Sequence, residues 1–169
     1  LIQQEQFRQG LEYLDRWFSN EPGPGAEAHI LAASAWYYLE DYKKLIFHAE
    51  KAIDLSDNPP LNWRELLLAA YMQTKAYSKA AALLETIISI KPDTADYWIQ
   101  LAALYQQLKQ DKKALAVYEL AYTKGLLNSN ETLQLAKNYL YLDMPYKAGE
   151  LLEKEISRGT IKPTEEKLK

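Results

Sequence analysis

The sequence predicts an all-α fold built from repeated helix hairpins, and residues 95–128 show the repeating unit most clearly. Apolar residues recur every three or four positions from Trp98 to Leu108, a spacing that places them on one face of a helix. A second such series runs from Ala114 to Tyr122, after a polar break. Two short amphipathic helices joined by a tight polar turn form a hairpin, and one hairpin alone cannot cover its apolar faces.

The hairpin recurs along the chain with a period of about 34 residues. Four independent series of residues share this interval, so the recurrence predicts stacked hairpins rather than a coincidence of composition. The four series are Leu67, Leu101 and Leu135; Tyr71, Tyr105 and Tyr139; Ala80, Ala114 and Ala148; and Leu84, Tyr118 and Leu152.

The repeat also resembles a known family. A first helix with Trp98, Leu101, Ala102 and Tyr105, followed by a second helix with Ala114 and an aromatic residue, is similar to the tetratricopeptide repeat (TPR). The resemblance extends over nearly the whole chain. It implies a right-handed superhelical solenoid of antiparallel hairpins, in which the first helix of each repeat lines a concave inner surface and the second lies outside.

The period divides the chain into a single TPR domain of about four full repeats with partial repeats at both ends. We expect the array to continue beyond these residues, as a fragment of a longer protein. The predicted segments are a partial repeat at 1–25, full repeats at 26–60, 61–94, 95–128 and 129–162, and the start of a further helix at 163–169.

The first 25 residues carry the apolar stripe of one helix, which the sequence PGPG at 22–25 is expected to end. This stretch is either a hinge or a slightly long turn between repeats, and the turn is the simpler interpretation. The stripe consists of Phe7, Leu11, Leu14, Trp17 and Phe18.

Small residues dominate the apolar face of the repeat at 26–60. Ala32, Ala33, Ala49 and Ala52 are expected to let two helix backbones approach closely, with Trp36 filling the space beside them.

Several helix ends can be predicted from single residues. Asn62, with Glu65 three residues later, predicts a capping box at the start of the repeat at 61–94. Pro145 suits the first turn of a helix, where its missing N–H is harmless. Gly125 and Gly159 suit the left-handed position that ends a helix.

Composition excludes several classes of function. The net charge of −3 provides no basic field for nucleic acid, so no nucleic-acid partner is expected. The sequence has no cysteine, which excludes disulfides and thiolate metal sites. No apolar run approaches the roughly 20 residues that span a bilayer, so direct membrane insertion is not expected.

The sequence offers little for catalysis. Its two histidines, His29 and His48, are expected to be surface or partly buried helix residues, without neighbouring acids at metal-ligand spacing. None of the common hydrolase, phosphate-binding or dinucleotide-binding motifs is present. We therefore predict a non-enzymatic protein with no cofactor and no bound metal.

The remaining candidate site is the concave surface of the predicted array. Its residues should lie between the core positions of the first helices, where amides can bond a peptide backbone and tyrosines supply contact area. The predicted residues are Ser34, Tyr37, Tyr38, Glu65, Ala69, Met72, Gln73, Ile99, Ala103, Gln106, Gln107, Leu133, Lys137 and Tyr141.

One class of TPR partner is disfavoured by these positions. TPR modules that bind the acidic tails of heat-shock chaperones use Lys, Asn and Arg on successive first helices. At the corresponding positions Lys137 is basic and Glu65 has the opposite sign, while the others are uncharged. A basic clamp for an acidic chaperone tail is therefore not expected.

The last repeat carries a second resemblance. The segments at 144–148 (MPYKA) and 159–161 (GTI) are similar to bacterial TPR proteins encoded beside TonB–ExbB–ExbD energy-transduction systems. This resemblance implies a periplasmic accessory protein of outer-membrane transport, with the cytoplasm as the alternative location.

Three functions remain open from the sequence. The first is an adaptor or scaffold that holds a segment of another protein. The second is a self-associating structural module, which would pair apolar faces at the ends of the array, including Leu11, Leu14, Trp17 and Phe18. The third, an enzyme or its regulatory domain, would need catalytic residues outside this chain.

The predicted register can be tested at Tyr105. Replacing Tyr105 with alanine removes a large core side chain and should lower the free energy of unfolding by ~3–5 kcal/mol. Thermal unfolding followed by circular dichroism measures the loss, and an unchanged melting curve would reject the register.

Overall fold

The computed structural model describes residues 2–20 and 23–161, and every regular element within them is an α-helix. The prediction of an all-α fold is confirmed. The nine helices in these ranges are α1 (Ile2–Asn20), α2 (Ala26–Tyr38), α3 (Tyr42–Asp54), α4 (Leu61–Gln73), α5 (Tyr77–Ile90), α6 (Ala95–Gln107), α7 (Asp111–Thr123), α8 (Ser129–Tyr141) and α9 (Pro145–Ser157).

The helices after α1 alternate in role, as the repeat predicts. We call α2, α4, α6 and α8 the first helices and α3, α5, α7 and α9 the second helices. The chain forms two compact units, residues 1–87 and 88–169, which we call the N-terminal and C-terminal units. In the N-terminal unit α1 packs on α2, α2 on α3 and α3 on α4; in the C-terminal unit α6 packs on α7, α7 on α8 and α8 on α9.

Small residues bring the helices of the N-terminal unit close together. Ala32, Ala33, Ala49 and Ala52 are completely buried, as their positions in the repeat predict. Short side chains allow neighbouring helix axes to approach, and the larger Trp36 lies half-buried beside them. Dispersion contacts between the closely packed helices stabilise this part of the core, where bulky side chains such as Leu45 fill the remaining space.

Each first helix ends in the same tight turn. Glu40, Lys75, Lys109 and Asp143 have a positive φ of 57–58°, which is unusual for residues that carry a side chain. In each turn the following N–H donates to a carbonyl five residues back, for example Ala76 N to Tyr71 O at 2.8 Å. This is the Schellman arrangement, which satisfies carbonyls that the helix end leaves open.

The two predicted left-handed glycines are confirmed. Gly125 has φ 72° and Gly159 has φ 73°, each at the end of a second helix. Pro145 also occupies the first turn of α9, as expected.

The predicted capping box at Asn62 is wrong. Helix α4 begins at Leu61 with Pro60 as its N-cap residue, and no side chain caps it. Asn62 is therefore already inside the helix. A capping box forms instead at α8, where the Asn128 side chain accepts from the Glu131 N–H and the Glu131 carboxylate accepts from the Asn128 N–H.

Two predicted segments lie partly or wholly outside the described residues. Helix α1 ends at Asn20 and α2 begins at Ala26, with Gly23 at φ 84° between them. Pro22, and the further helix predicted at 163–169, lie outside the described residues. No described helix combines the length and apolar character that crossing a membrane requires.

Tyrosine hydroxyls form hydrogen bonds between successive hairpins within each unit. The Tyr71 hydroxyl on α4 donates to Glu50 Oε1 on α3 at 2.5 Å, and Lys79 Nζ on α5 donates to the same oxygen at 2.9 Å. In the C-terminal unit Tyr139 donates to Glu119 at 2.7 Å, and Lys147 joins at 3.1 Å. Each carboxylate on a second helix is thus held by both helices of the next hairpin.

The contribution of the Tyr71–Glu50 hydrogen bond to stability can be tested by mutation. Tyr71→Phe keeps the ring and removes the hydroxyl, so the free energy of unfolding at pH 7 should fall by about 1 kcal/mol. Urea denaturation measures the loss. Tyr146→Phe is the matched control, because that side chain is 83% exposed and its hydroxyl should contribute nothing to stability.

The Tyr71–Glu50 pair also makes the free energy of unfolding depend on pH. Burial opposes ionisation of Glu50, but hydrogen bonds from Tyr71 and Lys79 outweigh it and lower the pKa of Glu50 below 4.5. The stabilisation is therefore present above pH 4.5 and is lost as the pH falls through the lowered value. The difference between the native chain and Tyr71→Phe should shrink in acid; a difference that grows there would contradict this assignment.

Candidate functional site

The predicted binding residues lie on the accessible sides of the first helices. Of the 14 residues, 11 are exposed, and Ser34, Ile99 and Leu133 are half-buried. Their immediate neighbours on the same helices, such as Ala70 and Leu104, are buried. The structure places seven of the 14 in each unit, so each unit carries its own candidate surface.

On α2 the candidate residues are mainly aromatic. The Tyr37 and Tyr38 rings are both exposed and meet edge to face, with their centroids 5.9 Å apart. Tyr38 also stacks on Phe7 of α1 with a centroid distance of 4.4 Å. The Ser34 hydroxyl donates to the Ile30 carbonyl at 2.9 Å, so its hydrogen is already used within the helix.

On α4 the candidate residues mix a charge, an amide and apolar groups. Glu65, Ala69, Met72 and Gln73 are all exposed. Their spacing of three and four residues places them along one side of the helix. This side offers apolar contact area and polar groups to a ligand on the N-terminal unit.

In the C-terminal unit the candidate surface contains a cluster of three amides. Gln106 Nε2 on α6 donates to Asn138 Oδ1 on α8 at 3.3 Å, and Gln134 Nε2 donates to the same oxygen at 3.2 Å. Asn138 is only 8% exposed, and its Nδ2 is buried without a hydrogen-bond partner. A buried donor left unpaired costs about 1–3 kcal/mol, so this cluster is not explained by stability alone.

Of the three amides, the sequence analysis identified Gln106 and missed Asn138 and Gln134. A signal for Asn138 was present, because the corresponding residues in the earlier repeats, Leu104 and Ala70, are apolar and buried. A polar residue at an otherwise apolar repeat position marks a departure from simple packing.

The other candidate residues of the C-terminal unit lie on the same two helices, α6 and α8. Gln107, Lys137 and Tyr141 are exposed, with Tyr141 reaching 76%. Ala103 is also exposed, and its short side chain adds little bulk to that part of the α6 surface. The exposed residues of this surface therefore combine hydrogen-bonding groups with an aromatic side chain.

The structure brings the two histidines together, which the sequence did not predict. His29 on α2 and His48 on α3 lie with their Nδ1 atoms 3.0 Å apart, and the His29 side chain is buried. Phe18 of α1 stacks on both rings, at 5.1 and 5.5 Å. Among the described residues no group of three or more acids and histidines could hold a metal ion.

The surroundings of His29 favour its neutral ring. Burial, and secondarily the positive charge of Lys51, lower the pKa of His29 below its ordinary value of 6.5. A hydrogen bond between two imidazole Nδ1 atoms needs one of them without a proton, so full protonation of both rings would break the bond.

The expected exposed apolar face of α1 is wrong for Leu11, which is 3% exposed and packs with Ala32 and Ala35. Phe18 is half-buried and stacks on both histidine rings. Leu14 and Trp17 instead line a cavity of about 630 Å³ between α1 and α2. Helix α1 therefore uses one face for its own core and leaves another accessible.

The histidine pair predicts that the N-terminal unit loses stability in mild acid. Because the pKa of His29 is lowered on folding, the neutral ring stabilises the folded chain above about pH 6.5, and this contribution is lost as the pH falls below that value. Chemical denaturation at pH 7 and pH 5.5 measures the change. The variant His29→Gln should show a smaller change between the two pH values, and an identical change would contradict the assignment.

Comparisons with known proteins bear on the fold. No protein-family model matches the sequence, and the comparison with curated proteins gave no match. Among solved structures, MamA from Desulfovibrio magneticus RS-1 is 20% identical, with 95% of this chain and 91% of that chain covered and a TM-score of 0.58. YrrB, described as a TPR protein with an unusual peptide-binding site, is 16% identical, with 90% of this chain and 78% of that chain covered and a TM-score of 0.62.

A further crystal structure of MamA is 16% identical, with 92% of each chain covered and a TM-score of 0.58. At these identities the likeness establishes the fold. The chain therefore has the fold of TPR proteins, as its 34-residue period predicts.

Proposed function

We propose that this chain is a non-enzymatic interaction scaffold that binds a segment of another protein through the exposed sides of its first helices. The observation that carries the proposal is the amide cluster of Gln106, Gln134 and Asn138 in the C-terminal unit. Its unpaired Asn138 Nδ2 is a donor held at a cost in stability, beside exposed residues that a ligand could reach.

The chemistry of the surface favours a peptide ligand. Asn138 Nδ2 is the unpaired donor that a backbone carbonyl of a ligand would accept from, and Gln107 offers a further, exposed amide. Tyr141 supplies apolar contact area with few rotatable bonds, which keeps the entropy cost of binding low. On the N-terminal unit Tyr37, together with the exposed side of α4, offers a similar mixture.

Charge gives little selectivity on these surfaces. Lys137 and Glu65 have opposite signs and lie on different units, so neither surface forms a basic or acidic patch from its candidate residues. The ligand should therefore be recognised by backbone hydrogen bonds and apolar side chains, and a clamp for an acidic tail is not proposed.

The solved structures support this proposal at the level of fold. YrrB is described as having a peptide-binding site, although an unusual one, on a fold shared over 90% of this chain. A role beside a TonB–ExbB–ExbD system in the periplasm rests on the sequence resemblance in the last repeat alone and stays a prediction. Self-association is the alternative function and would use Leu14 and Trp17, two of the α1 residues that line the cavity between α1 and α2.

The substitution Asn138→Leu separates binding from folding. Leucine has a similar volume and removes the unpaired donor, so the free energy of unfolding should stay the same or rise by about 1 kcal/mol. Peptides selected from a random library on the native chain should bind this variant about tenfold more weakly, which corresponds to ~1.4 kcal/mol. Fluorescence anisotropy measures the affinity.

The matched control is Asn130→Leu, which makes the same change at an exposed position of the same helix. It should leave peptide affinity unchanged. Equal affinities for native chain, Asn138→Leu and the control would remove the amide cluster from the proposed site. A combined Tyr37→Ala, Gln73→Ala and Gln107→Ala variant extends the test to the remaining surfaces.

A further inference from the structure

Three helices of the N-terminal unit meet at a cluster formed by Phe18, His29 and His48. The two imidazole Nδ1 atoms lie 3.0 Å apart and the ring centroids 5.2 Å apart, so the two nitrogens face each other. Phe18 of α1 stacks on both imidazoles with interplanar angles of 22° and 23°. One ring of α1 therefore rests on a side chain from α2 and on a side chain from α3 at the same time.

The hydrogen bond between the two imidazoles has a defined capacity for protons. In the neutral pair the Nδ1–H of one ring donates to the bare Nδ1 of the other. A first added proton enters the Nε2 atom of the donor ring, which keeps the bond and makes it charge-assisted and stronger. A second added proton enters the accepting Nδ1 atom, so two N–H groups then face each other. The second proton alone breaks the bond.

The surroundings of the cluster oppose this second proton. Burial, and secondarily the positive charge of Lys51, lower the pKa of His29 below its ordinary value of 6.5. Lys51 lies three residues after His48 on α3, and Lys44, a second positive group, lies one turn before it. The cluster should therefore stay intact at neutral pH and take up its second proton below about pH 6.5.

The remaining charged groups of the helices packed around the cluster do not change this sign. Among the side chains that the structure describes on α1 to α4, Glu50 and Arg64 are half-buried and bond to other groups. The other charged side chains described on these four helices are exposed. The field of an exposed charge is screened by water and salt.

A proton fits the pair better than a metal ion does. Zinc–nitrogen bonds of ~2.0–2.1 Å need two nitrogens that converge on a point beside the line between them. Here the nitrogens face each other along that line, and the nearby charge of Lys51 repels a cation. The described part of the chain also supplies no group of three acids and histidines for coordination.

The second proton has a structural consequence, because the His29 side chain is only 9% exposed. Two positive rings would then face each other in a buried site, where both charge repulsion and lost hydration are costly. At least one ring has to turn towards water. Phe18, which stacks on both rings, then loses part of its contact surface.

We propose that the His29–His48 pair is an acid-operated switch at the junction of α1, α2 and α3. One added proton keeps the three helices together, and the second separates the rings and opens the junction to water. This opening is local to the N-terminal unit, so the switch is more than a contribution to overall stability. The amide cluster lies in the other unit, and the switch does not rest on the function proposed above.

Nuclear magnetic resonance of the chain with ¹⁵N-labelled histidine tests the two steps. The sequence contains two histidines, so every imidazole signal belongs to this pair. Scalar coupling across the N–H···N hydrogen bond should be present at pH 7 and should persist when the first proton is taken up. The coupling should disappear when both rings are protonated.

Hydrogen exchange followed by mass spectrometry tests the opening. Between pH 7 and pH 5.5 the protection factors of the α2 and α3 amides should fall by up to about tenfold per pH unit, because the open state binds one more proton. The α7 amides lie in the C-terminal unit, which contains no histidine, and should keep their protection.

Two sets of variants locate the effect. The double variant His29→Leu, His48→Leu keeps bulky side chains at both positions and should show no fall in protection over this pH range. Lys51→Gln removes a charge that opposes protonation, so the midpoint of the opening should move to higher pH. The matched control is Lys43→Gln, which makes the same change at an exposed position of α3 and should leave the midpoint unchanged. The lysine pair keeps the test valid if the double variant does not fold.

Four results would overturn the proposal. They are absence of the coupling at pH 7, its persistence with both rings protonated, an equal fall in protection in the double variant, and an equal fall throughout the chain. The last result would mean that the pair affects global unfolding alone. A rise in melting temperature with Zn²⁺ that the double variant abolishes would assign the pair to a metal and would also reject the switch.

Discussion

The close approach of neighbouring helices is the constraint on which this structure depends. Leu45, Ala80, Ala114 and Ala148 occupy equivalent positions on the second helices and are at most 2% exposed. Alanine at three of these positions leaves no room for a bulky group, so the hairpins hold together by many short-range contacts. Trp17 of α1, by contrast, is 42% exposed and lines the cavity between α1 and α2.

Two buried polar residues of the last hairpin have hydrogen-bond partners within the core. Glu155 of α9 stands where Ala121 stands in α7 and is almost fully buried. The Tyr122 hydroxyl donates to its carboxylate at 2.7 Å and Arg158 bonds it at 3.1 Å, and these bonds lower the pKa of Glu155 against the opposing effect of burial. Thr132, buried where Trp98 stands one repeat earlier, bonds the Asn128 carbonyl. At these two positions the last hairpin thus replaces apolar packing with paired hydrogen bonds, whereas Asn138 of the same hairpin keeps an unpaired Nδ2.

The two units present different surfaces to a ligand. The N-terminal unit exposes aromatic and aliphatic groups around α1 and α2, including Trp17 and Tyr38, and contains the histidine pair beneath them. The C-terminal unit exposes amides around an unpaired buried donor. The N-terminal unit therefore offers mainly apolar contact area at its surface, and the C-terminal unit offers mainly hydrogen-bonding groups.

The sequence by itself determined the helices and their pairing, because a period of about 34 residues and apolar spacings of three and four are local patterns. Gly125 and Gly159 were predictable for the same reason, since a left-handed position favours glycine. The sequence pattern also predicted that Gln106 is accessible, and its side chain is exposed in the structure. Tertiary structure alone decided which distant residues meet: His29 with His48 across 19 residues, and Gln106 with Asn138 across 32. Such contacts depend on the angle and distance between packed helices, which side-chain periodicity does not encode.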